Sequence, residues 1–242
     1  GISAVYKSTK DKVQLHQNYT LIAGDFTNNT ETLSILVNEA AQDIARILEL
    51  GVDFDRCPDG TLHRTLEGGH CRHRIFHHKD ATGFEVVTKL AAAVRQLPNV
   101  TVQENALLCR VQKTATGFSL ETLQNEQRSV CHTHFLLLAT GGIGRVYEYT
   151  TNSAIATGDG ITFAYQLGAE IKHLSLVQFH PTAFNNRHTR ECFLISEAVR
   201  GEGAYLRNAA GERFMGQYDD RLELAPRDVV SHAIILESRK QG

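Results

Sequence analysis

Long apolar runs are missing from this chain. The longest, Phe135 to Ala139 with its neighbours, falls well short of the roughly 18 residues a membrane-spanning helix needs, so no membrane partner is expected. Paired Cys-x-x-Cys and helical His-Glu-x-x-His signatures are also absent. His70, Cys71, His73, His77 and His78 crowd together in sequence without the spacing of a zinc site, and no metal is expected. Five cysteines, Cys57, Cys71, Cys109, Cys131 and Cys192, are odd in number and scattered, which argues for reduced thiols in a cytoplasmic setting rather than a disulfide framework. Surplus charge is lacking too, with 25 Lys and Arg against 27 Asp and Glu, so nothing points to nucleic acid. Neither an internal repeat nor a low-complexity linker interrupts the 242 residues, which suit one large or two small globular domains.

Two more absences concern the ends. The opening Gly1-Ile2-Ser3-Ala4-Val5 has no initiator methionine and no strand followed by Gly-x-Gly-x-x-Gly, and the closing Ser238 to Gly242 stops just past a predicted helix. The expectation is an internal fragment of a longer protein.

Periodicity organises what is present. Leu33, Leu36, Val37, Ala40, Ala41, Ile44, Ile47 and Leu48 recur at helical steps between a cap at Asn29 or Thr30 and a stop at Gly51. A second amphipathic helix runs from Gly83 to Leu97, opening near Asp80 or Thr82 and ending before Pro98. Val100 to Glu104, Ala106 to Thr114, Gly117 to Leu123 and Ser129 to His134 read as short strands. Phe135 to Ala139 reads as a buried parallel strand whose end, Thr140-Gly141-Gly142, is either a tight turn or a place where a ligand meets backbone. Asp159, in Thr157-Gly158-Asp159-Gly160, sits at a helix start as a cap, with or without a ligand.

The densest chemistry lies between Phe179 and Asp228. Pro226 suits a first helical turn, so Arg227 stands where the helix dipole disfavours a cation, and either Asp228 or Glu223 pairs with it or another anion lies nearby. Proline holds His180 extended, so His180 and the hydroxyl of Thr182 either cap a strand end or form a carboxylate-binding pair. Glu67, in Thr65-Leu66-Glu67-Gly68-Gly69-His70, is either an exposed turn residue or a partner for an ammonium. Arg72, Arg74 and Lys79 read as lining an electropositive entrance for a dianion.

In order and spacing, His180-Pro181-Thr182, Glu197 to Gly203 and Pro226-Arg227-Asp228 resemble the flavoprotein family of succinate dehydrogenases, fumarate reductases and L-aspartate oxidases. Leu136 to Gly142 and Thr157 to Gly160 resemble the family's flavin-contacting segments, and Gly1-Ile2-Ser3-Ala4 resembles the tail of another. The resemblance implies an α/β fold. Residues 1–173 would be an incomplete, Rossmann-like FAD-binding domain without its first dinucleotide-binding unit, and residues 174–242 part of an α+β capping domain. It implies FAD as cofactor, met by Gly1, Ala139, Thr140, Gly141, Gly142 and Asp159, and a small dicarboxylate substrate, L-aspartate or fumarate.

Glu67-Gly68-Gly69-His70 resembles the L-aspartate oxidase branch, because a carboxylate suits aspartate's amino group and would repel a plain dicarboxylate. On that branch the resemblance implies oxidation of L-aspartate to iminoaspartate with oxygen or fumarate as acceptor, on the route to NAD. Glu67 would pair with the amine and accept its proton, His180, Thr182 and Ser196 would bind substrate, and Arg227 would be the acid or base. Glu197, Arg200 and Glu202 would form a supporting ion-pair network. The alternatives are a fumarate reductase or succinate dehydrogenase flavoprotein subunit and, for the fragment alone, a non-catalytic module that dimerises through uncovered apolar faces.

Overall fold

The computed structural model describes residues 1–8, 10–68, 70–184 and 188–241, so Gly69 of the Glu-Gly-Gly-His segment lies outside the described residues. The chain divides into two compact units that interleave in sequence. Unit 1 comprises Gly1–Val100, Phe179–Thr182 and Ile195–Gly242, and unit 2 comprises Thr101–Gln178 and Ala183–Leu194.

In unit 1, strand β1 (Ile2–Ser3) pairs antiparallel with β2 (Ile75–Phe76), Ile2 opposite Phe76. Helices α1 (Val13–Ala23), α2 (Thr30–Glu49) and α3 (Thr82–Arg95) follow the chain around this ribbon. The α2 helix begins as expected, with the Asn29 side chain accepting a hydrogen bond from the Thr32 amide, and Gly51 beyond its end takes φ +89°. Its buried Ile44 joins Ala4, Val52, Phe54 and Phe76 in one core cluster. A second cluster, Phe214, Met215, Ala225, Val230 and Ala233, seats the last helix, α6 (Arg227–Gln241), with Pro226 immediately before it. Between the two in sequence lies the short α5 (Glu197–Gly201).

Unit 2 carries an antiparallel meander of β3 (Leu107–Thr114), β4 (Gly117–Gln124) and β5 (Gln127–Thr133), in agreement with the strand pattern. Asn125 and Glu126 form the two-residue hairpin loop, both at positive φ, which matches the strand twist. The helix α4 (Asp159–Gln166) follows Gly158, whose φ of +83° suits the left-handed turn that starts it.

Two expected strands are absent. Val100 to Glu104 is irregular chain, and so is Phe135 to Ala139, where Phe135 and Leu137 are each 89% exposed. An apolar run becomes a buried strand only if neighbours on both sides pair with it, and among the described residues no strand does.

Candidate functional site

Glu197 is the hub of unit 1. The preceding Ser196 starts α5 by accepting from the Ala198 amide through its hydroxyl at 3.3 Å, which turns the Glu197 carboxylate inward, 6% exposed. One oxygen, Oε2, accepts from Nε and Nη2 of Arg227 at 3.0 and 2.8 Å, while Oε1 accepts from Nη2 of the buried Arg200 at 3.1 Å. Arg200 Nη1 donates to the Glu223 carbonyl at 2.8 Å. Glu197 is therefore an anion that faces Arg227 in its first-turn position, and the Glu223 carboxylate is taken by Arg213 and the Leu206 amide. In the expected supporting network Arg227 stands where Glu202 was anticipated, Glu202 being exposed.

The Glu67 segment closes on this hub. A Cβ on Gly68 would lie 2.8 Å from Glu197 Oε1, so a side chain there would have to displace the carboxylate, and a Cβ on Gly201 would lie 2.9 Å from the Leu66 carbonyl, where backbone approaches too closely for any other residue. Glu67, its side chain 19% exposed, has Oε1 4.0 Å from the Gly1 amine. Gly1 packs against β2, where a side chain would collide with Ile75 and Phe76.

His180 also belongs to the hub's surroundings. Its Nδ1 lies 3.2 Å from the Thr182 amide and 3.0 Å from the Thr182 carbonyl, so either tautomer fastens the ring to its own loop. Burial pushes the imidazole below its ordinary pKa; the Thr182 backbone partner opposes this, and the charges of Arg227, Glu197 and Arg200 all act on the ring. The first turns of α6 hold the same loop, Ser231 donating to the Phe179 carbonyl at 3.2 Å.

Thr182 donates its hydroxyl proton to the Ile195 carbonyl at 2.9 Å, which fixes the loop that carries His180. Ser196 accepts from the Ala198 amide at the start of α5, which leaves its own hydroxyl proton free to donate. One expected role needs correction. Arg74 does not line an entrance. It is 1% exposed and grips Asp11 through two hydrogen bonds of 2.9 and 2.7 Å. Sequence patterns missed Asp11 and His16, which neighbour Arg74 from a loop and from α1; His16 Nε2 meets Ser3 Oγ at 3.0 Å, and its ring stands 6.1 Å from that of His70.

In unit 2, the Ala139-Thr140-Gly141-Gly142 loop and the start of α4 come together. Gly160 leaves no room for a side chain because Thr140 Oγ1 occupies that space, and a Cβ on Gly158 would lie 2.8 Å from Ile143 Cγ2. Asp159 is exposed in the first turn, and no side-chain bond caps the amides there. Among the described residues, no group of three or more His, Cys, Asp or Glu is arranged to hold a metal ion, and no helix is long and apolar enough to cross a membrane.

The family described as "FAD binding domain" matches residues 1–242. The chain belongs to that family. An L-aspartate oxidase of Acinetobacter baylyi is 40% identical over the full chain and 46% of its own length, and one of Synechocystis is 43% identical over 97% of the chain and 42% of its own length. An E. coli quinol fumarate reductase FrdA variant superposes with a TM-score of 0.92 at 27% identity, covering 99% of this chain and 43% of that one. The chain thus spans somewhat under half the length of the relatives it matches.

The residues of this FAD-binding domain fit the cofactor in unit 2. Ala139 to Gly142 is exposed, Gly141 takes φ +75°, and open space lies where Gly141 and Gly142 would carry side chains. Bare backbone beside a helix start is what a flavin nucleotide needs to approach amides closely.

Proposed function

We propose that the whole protein oxidises L-aspartate to iminoaspartate, with oxygen or fumarate as final acceptor, and feeds de novo synthesis of NAD. The observation that carries the proposal is the contact of Gly68 with the Glu197 carboxylate, which brings the Glu67 segment to the hub holding Arg227. The names of the relatives support it.

Aspartate carries two carboxylates and an ammonium, and the site supplies complementary groups. In this proposal Arg227 takes one carboxylate, held in orientation by its two bonds to Glu197. His180, kept neutral by burial, offers an N–H to the other. Glu67 pairs with the ammonium and accepts the proton that leaves nitrogen as the imine forms. Arg227 is the group through which a proton is exchanged when a dicarboxylate is reduced. FAD, when bound, supplies the hydride acceptor for the substrate's α-carbon. Ala139 to Gly142 and Asp159 of unit 2 would hold it.

The finer architecture belongs to the same proposal: a Rossmann-like FAD domain up to residue 173 and a capping domain from 174. A cytoplasmic, reducing setting is supported by five free cysteines.

Glu67→Gln in the complete protein tests the reading. Loss of a charged hydrogen bond to the amine should lower kcat/KM for aspartate by about 10- to 100-fold while fumarate reduction persists. Unchanged aspartate kinetics would remove the amine-recognition role and favour a fumarate reductase or succinate dehydrogenase flavoprotein instead.

A further inference from the structure

Unit 1 contains a cavity of about 490 Å³ whose walls include none of the site residues above. Tyr6, Leu48 and Leu62 form its apolar side, and every charged group in its wall is a cation: Lys7, Arg56 and Arg64. Among the described residues no ion pair involves any of the three. Backbone carbonyls hold both guanidiniums in place, Arg56 Nη1 donating to Gly60 at 3.0 Å and Arg64 Nη2 to Tyr6 at 2.7 Å. Each arginine has five N–H donors, so most remain uncommitted, and Arg64 Nε is buried with no hydrogen-bond partner. Arg64 also lies 5.1 Å from the centre of the Phe76 ring, and Lys7 5.1 Å from that of Tyr6.

Three cations and no anion in the wall of a cavity of ligand size, with an apolar side beside them, call for an anion that has a body. We propose that this cavity binds a small organic phosphate, its dianionic head between Arg56, Arg64 and Lys7 and its flat apolar body against Tyr6, Leu48 and Leu62. Three positive groups exceed what one carboxylate charge matches, whereas a phosphoryl group offers two charges and three acceptor oxygens to the guanidinium forks.

Calorimetric titration with phenyl phosphate and with benzoate tests this. Phenyl phosphate should bind at low salt, weaken as sodium chloride is added, and bind about tenfold tighter than benzoate. The Lys7→Gln/Arg56→Gln double variant changes two exposed side chains, so its Tm should hold while phenyl phosphate affinity falls about tenfold or more. Arg227→Lys should leave that affinity unchanged. Absence of binding, equal affinity for benzoate, full binding by the double variant, or loss of binding in Arg227→Lys would each overturn the proposal.

Discussion

Glu197 and Arg227 are joined through a single oxygen: Oε2 takes both Nε and Nη2 of the arginine, leaving Oε1 to Arg200 and to the close approach of Gly68. The arrangement resolves the electrostatic conflict of a cation in the first turn of α6, because the carboxylate offsets the helix dipole that disfavours it.

Glu197→Gln should therefore destabilise unit 1 more than a surface change does. The Arg200 side chain is 3% exposed and would lose its counter-charge, at a cost of about 3–5 kcal/mol. Urea unfolding followed by circular dichroism measures it, and an unchanged midpoint would mean that the pair contributes nothing net.

Gly68→Ala should disturb the same hub without altering charge. The added methyl would meet Glu197 Oε1 at 2.8 Å, and displacing it should cost about 1–3 kcal/mol and reduce aspartate turnover. A thermal melt beside a kinetic assay separates the two effects. Full activity with a normal Tm would show that the carboxylate moves aside freely.

Removal of Asp11 should be worse than removal of its whole pair. Asp11→Leu leaves Arg74 buried and uncompensated, at about 3–5 kcal/mol, whereas Asp11→Leu/Arg74→Met replaces both ions with apolar groups and should recover most of that loss. A double-mutant cycle in urea measures the coupling, and additive losses would refute it.

Stability should fall as pH drops from 6.5 towards 4. Burial, then the charge of Arg74, lowers the His16 pKa from 6.5 to about 4, so in this window the unfolded chain binds a proton that the folded chain refuses. The stabilisation is full above pH 6.5 and about 3 kcal/mol is lost on passing through pH 4. His70 and His180 are shifted in the same direction, chiefly by burial, and act with the same sign. Urea midpoints at pH 7.5 and 4.5 should differ, and by less in His16→Gln. An equal slope in that variant would assign the effect to other groups.

Local patterns in the sequence carried much of this architecture. The apolar rows of α2 and α3, the Asn29 cap and the strand runs of the β3–β5 meander depend on neighbours a few positions away, and they are legible. Helix α1 was not, because Lys12 gives it no side-chain cap and its buried residue is His16 in place of an apolar row. Phe135 to Ala139 carries the composition of a buried strand, but composition does not say whether partners are present. The motifs around Glu67, His180 and Arg227 stood out as segments, yet the identity of Arg227's anion depends on a contact between α5 and α6 that no local signal encodes.

The interleaving of the units bears on the order in which this protein can be made. The meander pairs strands joined by two-residue loops, so it can close as soon as it is synthesised. Gly68 must wait for Glu197, and Leu66 for Gly201, with all of unit 2's main segment intervening in the chain. On a growing polypeptide the hub thus forms after the meander, and the first segment of unit 1 must remain soluble on the ribosome without it.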